Sequence, residues 1–376
     1  MKIIIIDPTS TSPPYCNYLS SSISKLGHEV CLIGPKKDIF FEKISAFDSR
    51  PFFPDYVSKN NFFRLLFYPL SLIQILIKVF KDNVSIVHFQ WSHIPLIEFI
   101  FIKFIKKKAK VVYTAHNTLL FHGEKHLLRR FLQIGRELYL KQVDQVIVHT
   151  VYSKETLLKY YPFLKNKIQV IPYGQEEFLR AEEKEKFERS FSLNTKQIPH
   201  LLFFGQVSYY KGVDILIEAV TLLGDLDFTL NICGRPEIKK DLIEHMVISK
   251  NLSEKVNLDL RFLPNHEVHR YFLESDILVF PYRHIDQSSV LMSSFIYGKS
   301  LVASRIGGFI ETIKDHENGL LFESENPQDL ADKLRVVLTS KQIRNKLGSN
   351  NIQLSKILPD WIGIARKTLD LYYDCS

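Results

Sequence analysis

FPYRHIDQSSVLMSSFIYGKSLVASRIGGFIE, residues 280–311, is the stretch on which the fold turns. It continues an apolar run, 277–280, that reads as a strand. A polar loop follows, holding Arg283, His284, Asp286, Ser288 and Ser289, and then a helix that closes at Gly298. A second short strand, 301–303, leads into the turn Gly307–Gly308 and Glu311. Strand, polar loop and helix in this order is how an open α/β sheet presents an anion site. The first N–H groups of the helix have no intrahelical acceptor and point at the loop. A phosphate there is bound by backbone, and the loop side chains read whatever it carries.

The same grammar recurs along the chain. Residues 2–6 are a continuous apolar run ending in Asp7, as a buried parallel strand requires. A polar loop, a helix over 15–25 closed by Gly27, and a strand over 29–33 complete a β-α-β opening. Further strands are expected at 85–89, 110–114 and 145–149. The pattern restarts with a strand at 200–204, a loop containing Gly205, Lys211 and Gly212, and a helix over 213–223. Strands at 227–233, 255–260 and 276–280 follow. Two successive α/β series imply two Rossmann-like domains. The seam falls between Pro172 and Pro199, where the charged stretch 176–189 reads as a surface helix or linker.

A length of 376 residues suits two domains, and 45% apolar residues supply a sizeable core. The formal net charge of +8 suits a phosphate-bearing ligand, an anionic membrane or nucleic acid. No zinc-finger, RRM-type or basic-zipper pattern supports nucleic acid, which is excluded as a partner. Cys16, Cys31, Cys233 and Cys375 have no metal-type spacing and read as reduced thiols of an intracellular protein. The start MKIIIID lacks a signal-peptide cleavage site. The longest apolar run, 65–77, contains Pro69 and is too short to span a bilayer.

The first half carries two basic, aromatic segments. Residues 62–80 read FFRLLFYPLSLIQILIKVF, and 95–110 read PLIEFIFIKFIKKKAK, with lysines at 103, 106, 107, 108 and 110. Such segments suit either a helix lying on an anionic membrane or a sheet-covering helix with a solvated lysine face.

Several residues are candidates for chemistry. Lys211 can place a charge on a phosphate, or be a plain exposed lysine at a helix start. Its loop and the 280–311 loop both leave carboxyl ends of strands, where ligands bind in open α/β sheets. Asp286 can hydrogen-bond sugar hydroxyls or act as an ordinary helix-start acid, and Ser288 can hold phosphate or cap the helix. His116 and Asn117 end a strand, and a structural histidine is the alternative there. The pair His122 and His126 lacks the HExxH zinc pattern. Asp225 and Asp227 precede a strand rather than follow one, as helix-end residues do. The dinucleotide fingerprint GxGxxG is missing, which argues against an NAD enzyme.

In order along the chain, these motifs resemble GT-B fold, retaining glycosyltransferases of family 4 (glycosyl transferases group 1). They are KIIIIDP at 2–8, GHEV at 27–30, TAHN at 114–117, DQVIVHTVYSKETL at 144–157 and IQVIPYG at 168–174. FFGQVSYYKGVDILIEA at 203–219 follows, then DILVFPYR at 276–283, YGKSLVASRIGGFIETI at 297–313 and NGLLF at 318–322. The resemblance implies an α/β GT-B architecture, two Rossmann-like domains facing across a cleft. It implies an acceptor-binding domain at 1–175, a nucleotide-sugar-binding domain at 176–355, and a C-terminal helix at 356–376 crossing back to the first. It implies no cofactor and no metal. Lys211 takes the place of the lysine that stabilises the departing diphosphate, and His116 that of a histidine near the transferred sugar. Asp286 is the remaining catalytic candidate. Gly205, Gln206, Ser288, Ser289, Val290 and Glu311 are the donor-binding candidates, with Asn117 at the acceptor or interface.

The sequence departs from the family pattern at named positions. Two glutamates separated by seven residues are common there; the aligned residues are Ile285 and Ser293, and Asp286 is offset by one from the first. Gln206 stands where an arginine is usual, and TSTSPP fills a first loop that usually carries glycines. The expected function is transfer of a hexose from a UDP- or GDP-sugar to a lipid-linked or oligosaccharide acceptor in surface polysaccharide synthesis. The expected location is cytoplasmic, peripheral on the inner face of the cytoplasmic membrane. A non-catalytic or partner-dependent GT-B subunit and a nucleotide-sugar epimerase are the alternatives.

Overall fold

The computed structural model describes residues 1–8, 11–35, 47–54, 61–118, 126–179 and 198–374. His122, Cys375 and most of the charged stretch 176–189 lie outside the described residues. The chain forms two compact units, Met1–Gly174 with Pro359–Ser376, and Gln175–Leu358.

Unit 1 is built on seven parallel strands. They are β1 (Lys2–Ile6), β2 (Glu29–Pro35), β3 (Asp48–Phe53), β4 (Ile86–Phe89), β5 (Lys110–Thr114), β6 (Gln145–Val148) and β7 (Ile168–Val170). Their order is β3-β2-β1-β4-β5-β6-β7. Ile4 of β1 registers with Cys31 on one side and Val87 on the other. The isoleucines Ile3 to Ile6 are all buried, which is why that run has no polar alternation. Each such side chain contributes about 1.5–3 kcal/mol of burial.

Unit 2 carries six strands, β8 (His200–Phe204), β9 (Thr229–Cys233), β10 (Val256–Asp259), β11 (Ile277–Phe280), β12 (Ser300–Ser304) and β13 (Leu320–Phe322). Their order is β10-β9-β8-β11-β12-β13, all parallel. Leu278 of β11 pairs with Leu202 and Leu301, so its loop leaves from the middle of the sheet.

Strand order reverses between β1 and β4 in unit 1 and between β8 and β11 in unit 2. At such switch points the flanking loops diverge and leave a crevice at the carboxyl edge. In unit 2 these are the loops that open with Gly205 and Pro281, the two singled out from the sequence.

Sequence reading missed β3, β7 and β13. β3 reads DSRPFF and is mostly exposed, and β7 and β13 have three residues each, too few for a periodic signal. The C-terminal helix Trp361–Asp374 belongs to unit 1. It buries Ile364, Ala365, Leu369 and Tyr372, while Trp361 stacks on Tyr18 at 5.1 Å.

Among the described residues no helix is long and apolar enough to cross a membrane. The helix Asn61–Lys81 nevertheless buries one face (Tyr68, Leu72, Ile75, Val79) and exposes Phe67, Leu70, Ile73, Ile77 and Phe80 on others. The neighbouring helix Pro95–Ile105 exposes Ile100 and Phe104. Lys103 and Lys107 lie over the rings of Phe99 and Phe104 at 4.3 and 5.3 Å.

Candidate functional site

In unit 2 the loop after β8 holds Lys211 in a short 3₁₀ turn, Tyr209–Lys211. Gly212 follows in the left-handed region (φ +64°), and a Cβ there would lie 1.9 Å from the Pro281 carbonyl oxygen. Only glycine lets the two switch-point loops approach this closely. Gly205, at φ +127°, leaves room for the lysine, since a Cβ there would meet Lys211 Nζ at 2.7 Å.

Lys211 is only 7% exposed, yet its ammonium has no hydrogen-bond or ion-pair partner among the described residues. Its Nζ lies over the Tyr282 ring at 4.9 Å. Burial lowers its pKa, with the more distant Tyr210 and Glu237 acting in the opposite sense. A buried cation without an anion is costly, so this geometry favours a bound negative group.

The loop after β11 leads into the helix Ser289–Ser294, which continues as the 3₁₀ turn Phe295–Tyr297 and ends at Gly298. Ser288 is its cap: the hydroxyl oxygen accepts from the Leu291 amide at 3.2 Å. The amides of Ser289 and Val290 have no acceptor among the described residues. The Val290 side chain lies 3.8 Å from the Cβ position of Gly205, which places this helix start beside the Lys211 loop.

The remaining candidates have defined places. Asp286 is buried. Glu311 is exposed on the helix Gly307–Thr312, whose Gly308 amide reaches the Ile285 carbonyl at 3.4 Å. Gln206 donates its side-chain amide to Glu237. Ser293 is buried, and its hydroxyl accepts from the Glu176 amide at 3.3 Å. Arg283 is committed to the scaffold: it meets both oxygens of Asp214 at 2.8 and 2.6 Å, donates to Glu325 at 3.0 Å, and stacks on Tyr209. Asp225 pairs with Arg335, as a helix-end acid does.

In unit 1 the candidate His116 follows β5 and is 8% exposed. Both its ring nitrogens are engaged, Nε2 with the Gln90 side chain at 3.0 Å and Nδ1 with His149 Nε2 at 3.1 Å. Trp91 stacks on it at 5.0 Å and 18°, and Tyr15 meets it edge-on. Asn117 is exposed; its carbonyl and that of Thr118 accept from the buried Arg136 guanidinium at 3.0 and 2.9 Å. Burial pushes His116 well below the ordinary imidazole range, His88 down to about 3 and His149 to about 4.

Sequence reasoning missed this second layer: Gln90, Trp91, His149, Arg136 and Glu98. Glu98, fully buried, accepts from the hydroxyls of Tyr68 and Ser92 and from the amides of His93 (2.7 Å) and Ile94 (3.1 Å). It thereby fixes the loop that carries Trp91. The available signal was HFQW at 88–91, a polar cluster ending a strand, as TAHN does at 114–117.

Residues 14–175 match the family described as Glycosyltransferase Family 4, and residues 183–354 that described as Glycosyl transferases group 1. The chain belongs to this glycosyltransferase family. Among relatives, an uncharacterized glycosyltransferase of Methanocaldococcus jannaschii is 34% identical over 41% of this chain and 42% of its own length. A D-inositol 3-phosphate glycosyltransferase of Corynebacterium glutamicum is 26% identical over 64% of this chain and 60% of its own. The chain thus spans less than two thirds of the length of these two. An uncharacterized 41.2 kDa protein in the cps region of Klebsiella pneumoniae is 27% identical over 78% of this chain and 82% of its own.

Solved glycosyltransferases share the fold. Sucrose-phosphate synthase from Thermosynechococcus elongatus superposes with a TM-score of 0.80 at 17% identity, covering 100% of this chain and 98% of that one. HepE from Anabaena, in complex with UDP, gives 0.77 at 14% identity and covers 100% of both. The two parallel-sheet α/β units are therefore those of the GT-B glycosyltransferase fold.

Proposed function

We propose that this protein is a retaining glycosyltransferase that moves a hexose from a UDP- or GDP-sugar to a sugar acceptor carried on a lipid. In this reading unit 2 holds the donor and unit 1 the acceptor. The observation that carries it is Lys211, a buried ammonium with no hydrogen-bond or ion-pair partner among the described residues, beside the amides of Ser289 and Val290, which have no acceptor among them. Together they offer a fixed positive field where a diphosphate gains charge as the sugar departs. HepE was solved with UDP and with UDP-glucose, which supports a nucleotide-sugar donor here. The cps-region relative supports a role in surface polysaccharide synthesis.

The membrane part rests on a different observation. The exposed Phe67, Leu70, Ile77 and Phe80, with Ile100 and Phe104 on the next helix, lie in the same unit as Lys103, Lys106, Lys107 and Lys108. Apolar side chains for the acyl boundary and lysines for anionic headgroups suit a helix lying in the membrane surface.

The test is a nucleotide-sugar panel with membrane-lipid acceptors. Transfer from one UDP- or GDP-sugar supports the reading; neither transfer nor hydrolysis of any of them contradicts it. Saturable nucleotide binding separates an enzyme from a scaffold that kept the fold. Sedimentation with anionic vesicles, weakened by salt, checks the membrane part, and equal binding to neutral vesicles would count against it.

A further inference from the structure

Three buried histidines at adjacent strand ends of unit 1 form a polar cluster, of which the transfer reading uses only His116. Tyr372, on the C-terminal helix, lies 2.6 Å from His88 Nδ1, and His88 Nε2 lies 2.7 Å from the Thr114 hydroxyl. Gln90 lies between His88 and His116, its Nε2 3.3 Å from His88 Nε2 and its Oε1 3.0 Å from His116 Nε2. His116 Nδ1 meets His149 Nε2 at 3.1 Å, and His149 Nδ1 meets the Ile171 carbonyl at 2.9 Å.

The proton positions follow from the far end. A carbonyl only accepts, so His149 carries its proton on Nδ1. Among the described residues no carboxylate pairs with any of the three rings, whose packed ring neighbours are Tyr15, Tyr173, Trp91, Tyr372 and one another. A cation buried there would have no anion, so each ring is neutral with one N–H. The low pKa values given above agree. His149 Nε2 is then an acceptor, His116 must donate from Nδ1, and His116 Nε2 is left as an acceptor facing Gln90.

The two ends of a primary amide are nearly the same shape, so the partners decide which end is nitrogen. Here the partner is a bare imidazole nitrogen, which requires the Gln90 NH₂ where Oε1 was placed, so the two amide ends exchange. Its oxygen then turns to His88, which donates from Nε2 to it and to Thr114, while His88 Nδ1 accepts from Tyr372. In this direction every ring nitrogen of the three histidines meets a group of the opposite kind, donor to acceptor. The reverse direction needs one extra, unpaired proton.

We propose that these residues form one hydrogen-bond chain of fixed direction, Tyr372 to His88 to Gln90 to His116 to His149 to the Ile171 carbonyl. In it Gln90 and His149 are the positioning residues that hold the His116 proton on Nδ1. The functional side rests on the reading of His116 as part of the transfer site. His116 then serves transfer as a fixed uncharged body, not as a group that exchanges a proton with substrate.

The test is nitrogen-detected NMR of the full chain labelled at histidine, at pH 7, with rings assigned by single substitutions. The expected result is Nδ1–H for His116 and His149 and Nε2–H for His88. Nε2–H or a doubly protonated ring at His116 would overturn the proposal. Gln90→Glu, whose carboxylate only accepts, is expected to move the His116 proton to Nε2 or add a second; an unchanged His116 would overturn it equally. If that variant does not fold, the wild-type spectrum alone decides. In transfer assays His149→Leu is expected to cost about 10-fold or more in kcat with little change in donor KM. His149→Gln, which keeps an acceptor for His116 and a donor for Ile171, is expected to restore most of it. Equal loss in both variants would contradict the positioning role. The predicted tautomers in a protein that transfers no sugar would sink the transferase reading and leave the proton chain standing.

Discussion

The carboxyl edges of the two sheets solve opposite problems. At the edge of unit 2, among the described residues, the buried ammonium of Lys211 has no hydrogen-bond or ion-pair partner and two helix-start amides have no acceptor. At the edge of unit 1 every ring nitrogen of His88, His116 and His149 has a neighbour within hydrogen-bond range. The first edge is short of negative charge, while the histidine cluster at the second is closed on itself and uncharged. An edge of the first kind binds an anion. An edge of the second kind holds shape, and its neutral rings can face a sugar without repelling or titrating it.

The contrast can be broken most severely at Glu98. Replacing it with alanine removes the acceptor of four donors at once and is expected to cost about 3 kcal/mol, read by chemical denaturation. A cost below about 0.5 kcal/mol, the range of inert surface sites, would mean that the loop carrying Trp91 does not depend on it. In unit 2, Gly212→Ala forces a Cβ onto the Pro281 carbonyl and is expected to cost about 2 kcal/mol together with nucleotide binding. Unchanged stability there would show that the two switch-point loops need not touch.

Acid probes unit 1. The folded-state pKa values of His88 and His149, about 3 and 4, lie below the ordinary value of 6.5. The unfolded chain therefore takes up protons first. Their contribution is complete above the ordinary value and is lost as pH falls towards the folded values. The expected slope is up to about 1.4 kcal/mol per pH unit for each histidine, seen as a falling midpoint in urea. A flat profile between pH about 6 and about 4.5 would mean that the rings are not buried neutral. Ser288→Ala is the mildest change, removing a cap worth about 1 kcal/mol while leaving the amides of Ser289 and Val290 in place.

Much of unit 2 was legible in the sequence because its site is made of local features. Gly205, Lys211 and Gly212 lie within eight residues, and the strand, loop and helix of 277–298 are consecutive. The role of Arg283 was not legible, since its partners Asp214 and Glu325 are distant in sequence. Unit 1 was the reverse case. His116 stood out at a strand end, but what surrounds it comes from four strand ends and the C-terminal helix. A histidine at position 88 or 149 carries no local sign that it will face another ring. The short strands Ile168–Val170 and Leu320–Phe322 escaped because three residues show no period, and their place comes from pairing with a neighbour.

The central claim is that unit 2 is an anion site built around Lys211, and titration calorimetry with UDP tests it most directly. The account predicts saturable binding to the wild type and binding at least ~10-fold weaker to Lys211→Ala, with folding stability kept because the lost ammonium had no hydrogen-bond or ion-pair partner among the described residues. Equal affinity in the two proteins, or no UDP or GDP binding to the wild type, would contradict it.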